Sequence, residues 1–526
     1  MLHKFYVVVD HPDYKQEILN QLQSELGDES IPDRSVEILN PMPGSEYNAT
    51  VMLTEQEADA LISDLRINHV HRDPKERGVE KIHYGVRSGV YDKQSGTISS
   101  THKNWGLIRS TATSNIFGTL SSITGTFPYN LDGTGVDFVI IDSGVEPNHP
   151  EFAVNADGTG GSRVVDHDWT QYGYITSVPT GGFLGDCDGH GSNCASIAAG
   201  NTCGWAPGAQ IYSLRNVGDG TAGPYYDITD GRQLGLIDEF EVWQSLRAFH
   251  QAKAVDPVTG YKRPTIVNCS YGFINSYTTV TAIRYRGTTY SVSTTTAAYG
   301  TIGVPEGGSG RHGYRYSAID AEIASCISAG IVIVAAAGND RHKIDTVGGS
   351  DYSNYWTDYL GFSDYYHRGS TPAGTSNVIT VGCIAAFANT NINPEHKRNF
   401  SCAGPRVDIW APGDYIMGAY SNNPYATVAV ADTRSAGTYT YYLNKISGTS
   451  QACPQVAGVL ACLLQARPWM TPEQVRNWTT GTASTWLVNE AYYGGSGYTN
   501  FGSLLGGPAK ALWQPFILPD PLVIRG

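Results

Sequence analysis

The sequence predicts an α/β protein: three layers around a mostly parallel central sheet, preceded by a small α+β unit. Three observations predict it. Apolar runs of strand length, rich in Val and Ile, recur at 139–141, 265–269 and 331–336, as buried parallel strands do. Helical patterns at 240–253 and 316–329 stand between these runs, and such alternation places helices on both faces of a parallel sheet. A chain of 526 residues, 41% hydrophobic and 16% charged, has enough apolar surface for one large domain and a smaller one.

Residues 1–80 read as a separate unit. Phe5-Tyr6-Val7-Val8-Val9 is a strand and 14–26 an amphipathic helix. Ala49-Thr50-Val51-Met52-Leu53 is a second strand, and one more is expected near Val36. Thr54-Glu55-Gln56-Glu57 carries a capping-box pattern that opens a helix to about residue 65, followed by a short strand at 69–72. A polar linker covers 81–103, the main domain 104–510, and an apolar tail 511–526. Three stretches exceed what an α/β core needs: 273–313, rich in Thr, Tyr, Ser and Gly; 340–374, rich in Tyr, Asp and Ser; and 423–444. The first reads as an inserted hairpin and loop.

Charge and pattern exclude several functions. The formal net charge is −14, with no basic stripe, which argues against a nucleic-acid partner. No run of about 18 apolar residues offers a membrane span. The first residues lack an apolar stretch followed by a small-residue cleavage site. Nine cysteines, mostly inside apolar segments, read as reduced core thiols. Together these predict cytoplasmic synthesis, with attachment to a particle or non-classical release as routes out.

Four strings carry chemistry. Val139-Ile140-Ile141-Asp142-Ser143-Gly144 is a buried strand ending in a carboxylate. Asp188-Gly189-His190-Gly191-Ser192 opens a small-residue helix. Ile331 to Ala337 leads into Gly338-Asn339, a strand ending in an amide donor. Ser447-Gly448-Thr449-Ser450-Gln451-Ala452 delivers a serine to the start of an apolar helix, where the positive end of the helix dipole suits an oxyanion. The order Asp, His, Ser is one of the three recurrent orders of the serine-hydrolase triad.

The four strings together resemble the subtilisin-like serine proteases (subtilases), from about Gly106 to Gly481. The resemblance implies a subtilisin-like fold and an endopeptidase acting through an acyl-enzyme. Ser450 would be the nucleophile, His190 the general base, and Asp142 the group that orients and stabilises the imidazolium. Asn339 would be the oxyanion donor. It implies that Ser270, Tyr271 and Gly272, with Ala336, Ala337 and Gly338, line the substrate cleft. No charge in those strings dictates a specificity, so broad specificity is expected. Residues 1–80 would be an inhibitor-like propeptide, with the autoprocessing bond in 81–103. The partners are then protein or peptide substrates and the chain's own propeptide. A glutamate–aspartate–serine variant of the chemistry is opposed by Asp188-Gly189-His190-Gly191 and by Asn339.

Some positions depart from the family pattern. Amides stand at Asn193 and Gln455 where histidines are usual, and the expectation is that they contact each other between two helices. Cys194 lies one helical turn after His190 and reads as a small buried hydrophobe. No metal or other cofactor is required, and structural calcium lacks support because the run 198–208 is short with no dense oxygen-ligand loop. The alternative to a free enzyme is an assembly-bound component that keeps this fold, which the apolar tail and the insertions motivate.

Overall fold

A computed structural model describes residues 1–73, 80–83, 104–109, 131–155, 158–179, 182–216, 237–257, 259–276, 280–291, 311–358, 361–386, 396–421, 432–436, 439–485 and 503–513. In the N-terminal unit β1 (His3–Val9) is followed by α1 (Tyr14–Gln23), β2 (Ile38–Asn40), β3 (Asn48–Leu53), α2 (Glu55–Leu61) and β4 (Ile67–Arg72). The four strands form one antiparallel sheet in the order β2-β3-β1-β4. The Thr54 capping box forms as its sequence predicts, with the hydroxyl accepting from Glu57 N and the Glu57 carboxylate accepting from Thr54 N. One face of the sheet encloses a core of Phe5, Val7, Ile18, Leu22, Val51 and Leu61.

Next come β5 (Glu80–His83) and α3 (Trp105–Arg109). The large domain opens with β6 (Asp137–Asp142) and continues through β7 (Val164–Val165), α4 (His190–Ala199), β8 (Gln210–Arg215), α5 (Glu239–Gln251) and β9 (Thr265–Cys269). After β9 come β10 (Tyr271–Ser276), β11 (Val280–Tyr285), β12 (Thr288–Ser291), β13 (Arg311–Gly313), α6 (Ser317–Ser328) and β14 (Val332–Ala336). Then follow β15 (Tyr355–Asp358), β16 (Ser363–Tyr365), β17 (Ile379–Ile384), β18 (Ile409–Pro412), β19 (Ile416–Tyr420), β20 (Asp432–Ala436) and β21 (Tyr439–Ile446). Two helices, α7 (Thr449–Ala466) and α8 (Pro472–Gly481), come last.

Seven strands make the central sheet, in the order β18-β17-β14-β9-β6-β8-β7, and every described pairing in it is parallel. The runs FVII, TIVNC and VIVAA are wholly buried because helices cover both faces. One face packs α4 and α7, the other α5 and α6. The small residues of α4 permit close approach to its neighbours. A Cβ on Gly191 would stand 2.0 Å from Gly144 O, and one on Gly458 of α7 would stand 2.7 Å from Ala198 O.

The insertions at 273–313 and 340–374 join each other. Hairpins β11–β12 and β15–β16 form one antiparallel sheet in the order β12-β11-β15-β16. The third insertion includes the hairpin β20–β21, which pairs with β19. Of the tail, Ala511 and Leu512 are buried and bond with Trp410 and Ser484 of the same domain; the rest of the expected tail, 514–526, lies outside the described residues. All nine cysteines are free and buried. Among the described residues no helix is long and apolar enough to cross a membrane.

The N-terminal sheet docks on α5 and α6. Tyr6 stacks on Phe240 with ring centroids 4.6 Å apart and meets Tyr316 edge-on. The buried Asn48 amide donates to Ala318 O at 3.0 Å and to Glu322 Oε1 at 2.8 Å. Past this unit, β5 lies antiparallel on β10, with Tyr271 facing His83, Gly272 facing Ile82, Phe273 facing Lys81 and Ile274 facing Glu80.

Candidate active site

Three element ends converge. Asp142 closes β6, His190 opens α4 and Ser450 is the second residue of α7; all three are buried. Both Asp142 carboxylate oxygens face His190 Nδ1, at 2.9 and 3.0 Å. Ser143 N donates to Asp142 Oδ1 at 2.7 Å and fixes the carboxylate. Burial is the largest effect on His190 and pulls its pKa down, but the Asp142 charge and hydrogen bond, with Cys194 beside the ring, together outweigh it and hold the imidazole well above its ordinary value. Cys194 Sγ lies 3.9 and 4.0 Å from the two ring nitrogens and donates to Ser450 O at 3.5 Å. Burial raises the Cys194 thiol above its usual range. It therefore stays protonated and behaves as the small buried hydrophobe the sequence suggests.

Ser450 is tied to Ser270 in both directions. Ser450 Oγ donates to Ser270 O at 3.0 Å, and Ser270 Oγ donates to Ser450 O at 2.9 Å. A turn about χ1 carries the Ser450 hydroxyl away from that carbonyl. Catalytic hydrogen bonds commonly tighten only when substrate is present. Ser196, also buried on α4, is engaged elsewhere: its hydroxyl donates to Asn193 O and accepts from Ala419 N.

Asn339 follows β14. Thr449 N and Thr449 Oγ1 both donate to its Oδ1, at 3.0 and 2.9 Å. Two donors on one oxygen settle which way the amide faces. The Nδ2 group is thereby directed away from Thr449. The Ser450 N–H belongs to the first turn of α7, whose donors have no partner within the helix. Gly338 N donates to Thr449 Oγ1 at 3.1 Å, so the β14 end is laced to the turn that carries Ser450.

The other predicted cleft residues divide. Ser270 touches Ser450 directly, and Gly272 offers its backbone to β5. The Tyr271 side chain points into the α5–α6 core, with its hydroxyl 3.3 Å from Glu239 Oε2, so only its main chain can face a substrate. Ala336 and Ala337 are core residues at the end of β14.

Asn193 and Gln455 do not meet, which corrects the expectation for that pair. Asn193 Oδ1 accepts from Gln451 Nε2 at 3.3 Å. Gln455, one helical turn further along α7, bonds Asn104 and Trp205 instead. The interhelical polar contact exists, but through residue 451, because the Gln455 amide is taken up by Asn104 and Trp205.

Sequence reasoning missed Asp186. Its Oδ1 accepts from Ser143 Oγ at 2.8 Å, Asp188 N at 3.1 Å and Gly189 N at 2.8 Å, and its Oδ2 accepts from Ser192 N at 2.9 Å. Ser143 Oγ in turn accepts from Gly191 N at 2.8 Å. One carboxylate thus ties the end of β6 to the start of α4, where Gly189 turns with φ +99°. The string Asp186-Cys187-Asp188-Gly189-His190 carried the only signal, an acidic residue ahead of a helix start.

The ground beyond α4 does not fit a calcium ion. Four carbonyls (Glu151, Ala153, Ala199 and Ala209) and Asn201 Oδ1 converge at 2.7–3.2 Å on the buried guanidinium of Arg163. The Glu151 carboxylate accepts from Thr202 N, Cys203 N and the Thr202 hydroxyl. A side-chain cation already holds the oxygens that a Ca²⁺ would need. Burial brings the Arg163 pKa down to about 10, which leaves it charged at neutral pH. Among the described residues, the one group of three close His, Cys or acidic ligand atoms is Asp142, His190 and Cys194 of this same site.

A parallel three-layer α/β fold with an Asp–His pair, a serine heading a buried helix and an oriented asparagine defines a serine peptidase of the subtilisin class. The profile of the subtilase family matches residues 133–500, and the chain belongs to that family. It is 24% identical over 426 residues to an extracellular serine proteinase of Thermus sp. (strain Rt41A), covering 81% of this chain and 68% of that one. It is 26% identical over 368 residues to subtilisin E of Bacillus subtilis (strain 168), covering 69% and 64%. The chain spans only about half the length of some other curated relatives. A solved structure titled as a cold adapted subtilisin-like serine proteinase aligns with 80% of this chain and 100% of its own, at 21% identity and a TM-score of 0.46.

Proposed function

We propose that the chain is a serine endopeptidase made as an autoprocessing zymogen. The observation that carries this reading is the Asp142–His190 pair beside a serine that opens α7, faced by an amide whose orientation Thr449 fixes. Ser450 Oγ attacks the scissile carbonyl and its proton passes to His190 Nε2. Asp142 holds the imidazole in the tautomer with Nδ1 protonated and stabilises the imidazolium. The Asn339 Nδ2 and Ser450 N–H groups hold the oxyanion. His190 then protonates the leaving amine, and water releases the acyl group. No organic cofactor enters the reaction, and Arg163 takes the place of a calcium at the end of α4.

The zymogen half of the reading draws on the N-terminal unit. Its sheet seats on α5 and α6, and its continuation, β5, lies on β10 as an extended peptide substrate would. Residues 1–80 are then the inhibitory unit, 81–103 the linker that contains the cleaved bond, 104–510 the enzyme and 511–526 the tail. Nine buried thiols accord with synthesis in a reducing compartment. The test is casein hydrolysis with labelling by a sulfonyl fluoride. Activity and label on Ser450, both lost in Ser450→Ala, support the reading. An inert, unlabelled wild type that copurifies with a large assembly refutes it in favour of an assembly-bound structural part.

A further inference from the structure

Gly189 stands at the turn into α4 with φ +99°, and one aromatic ring lies directly against it. A Cβ on Gly189 would stand 2.6, 2.7 and 2.8 Å from Cζ, Cε1 and Cε2 of Tyr420. Only a glycine meets both the left-handed backbone and the missing space. Tyr420 is buried and closes β19. Its ring packs with Ile446 and Tyr442, and Tyr442 is its direct partner across the β19–β21 pair. Ile446 ends β21, from where the chain runs through Ser447, Gly448 and Thr449 to Ser450. One side chain thus touches both the turn before His190 and the strand that delivers Ser450.

The rest of β19 backs the same helix. Residues two apart on a strand share a face, so Gly418 lies beside Tyr420. A Cβ on Gly418 would stand 2.6 Å from Asn193 Nδ2 and 2.7 Å from Ser196 Oγ. Ala419 N donates to Ser196 Oγ at 2.7 Å, and Asn193 Nδ2 lies 3.4 Å from both Ala419 O and Asn444 O. Ser421 Oγ donates to Asp186 O at 3.0 Å. The Asp186 carboxylate ties the turn through Asp188 N and Gly189 N, and the Tyr420 ring bears on it by van der Waals contact. From these contacts, and resting on the protease reading above, we propose that Tyr420 is a positioning residue of the peptidase, whose ring sets the spacing between the His190 turn and the strand leading to Ser450. No bond forms or breaks at Tyr420. Removing the ring leaves a space into which the turn can move, and a misplacement of about 1 Å costs about 10²-fold in rate. The loss falls on kcat, because the ring bears on the groups that move the proton and not on Ser270 to Gly272.

The test uses the full chain as wild type, Tyr420→Ala, Tyr420→Leu and Tyr420→Phe. Phe249→Ala, a truncation in the core on the α5 side of the sheet, serves as control. Steady-state kinetics on a chromogenic peptide are run well below every thermal midpoint. Rates are referred to the Ser450 that a sulfonyl fluoride labels at completion. Tyr420→Ala should lower kcat by about 10- to 100-fold with KM held within about twofold. Tyr420→Phe keeps the ring and should restore most of the rate, and Phe249→Ala should keep kcat while it loses thermal stability. If Tyr420→Ala does not fold, Tyr420→Leu is read in its place; it fills much of the volume without a flat ring and should lose at least about fivefold in kcat. An active wild type whose Ala or Leu variant keeps kcat, changes KM instead, is not rescued by phenylalanine or falls no further than Phe249→Ala overturns the inference and leaves the protease reading standing. A wild type inert on casein and unlabelled at Ser450 overturns both.

Discussion

Replacing Arg163 by alanine tests whether a buried side-chain cation organises the ground behind the catalytic helix. The guanidinium serves five oxygens. Glu151 O also accepts from Asn201 N, and Ala153 O also accepts from Asn201 Nδ2. The carbonyls of Ala199 and Ala209 depend on Arg163 among the described hydrogen bonds. A buried carbonyl that loses its donor costs about 1–3 kcal/mol, so the two together cost about 2–6 kcal/mol. Removing a desolvated charge offsets part of this, which leaves about 3 kcal/mol. An enzyme unit spanning 104–510, about 400 residues, unfolds with about 0.85 kcal/mol/K of entropy at the usual ~2.1 cal/mol/K per residue. The expected fall in thermal midpoint is therefore about 4 °C. The measurement is a thermal melt in the Ser450→Ala background, where autolysis cannot blur the transition. Arg163→Lys should lose less, since it keeps the charge and can reach part of the set. An Arg163→Ala midpoint within about 1 °C of its parent would show that water satisfies these carbonyls as well as the guanidinium, and the reasoning would fail.

Three further outcomes are expected. Asn339→Ala should lower kcat by about 10²–10³ with little change in KM, the scale for one oxyanion donor; steady-state kinetics on a chromogenic peptide check it. Asp186→Ala should lower kcat by about tenfold or more while binding is kept, because the lost bonds to Gly189 N and Ser192 N loosen the turn that aims His190. A KM change without a kcat change would contradict this. The pH–rate profile should rise along an acid limb set by His190. Asp142 raises the pKa of that group above its ordinary 6.5, and only the neutral imidazole can accept the serine proton. Activity is therefore lost as pH falls through the raised value. Asp142→Asn should move the limb to lower pH while cutting kcat, and a limb that stays put would refute the Asp142 assignment.

The legible part of this chain is the part whose chemistry sits at element ends. Asp142, His190, Asn339 and Ser450 each adjoin an apolar run whose period and length declare a buried strand or helix, so residue type and position could be read together. The Thr54 capping box was legible for the same reason, since its two hydrogen bonds are local. Asp186 was not, because its role is to accept backbone N–H groups, and a carboxylate's sequence does not say which amides will surround it. The association of 273–313 with 340–374 was equally hidden. Pairing β11 with β15 depends on where β10 and β14 release the chain, which is a property of the assembled sheet. The contact of Asn193 with Gln451 in place of Gln455 depends on the crossing point of α4 and α7, which one-dimensional spacing does not encode.

Helix α7 is buried through 16 of its 18 residues, and its second residue is Ser450. Ser450, the proposed nucleophile, is thus at the leading end of an element that contacts four strands of the central sheet as well as α4. Most enzymes place reactive groups on loops that can open by themselves at small cost. Here a local opening that displaces Ser450 must also draw α7 out of the core. Amide exchange along α7 beyond its first turn should accordingly be as slow as in the central strands, and heat should remove activity only when it melts the whole domain. The protein has no inexpensive way to lose its active site and keep its fold.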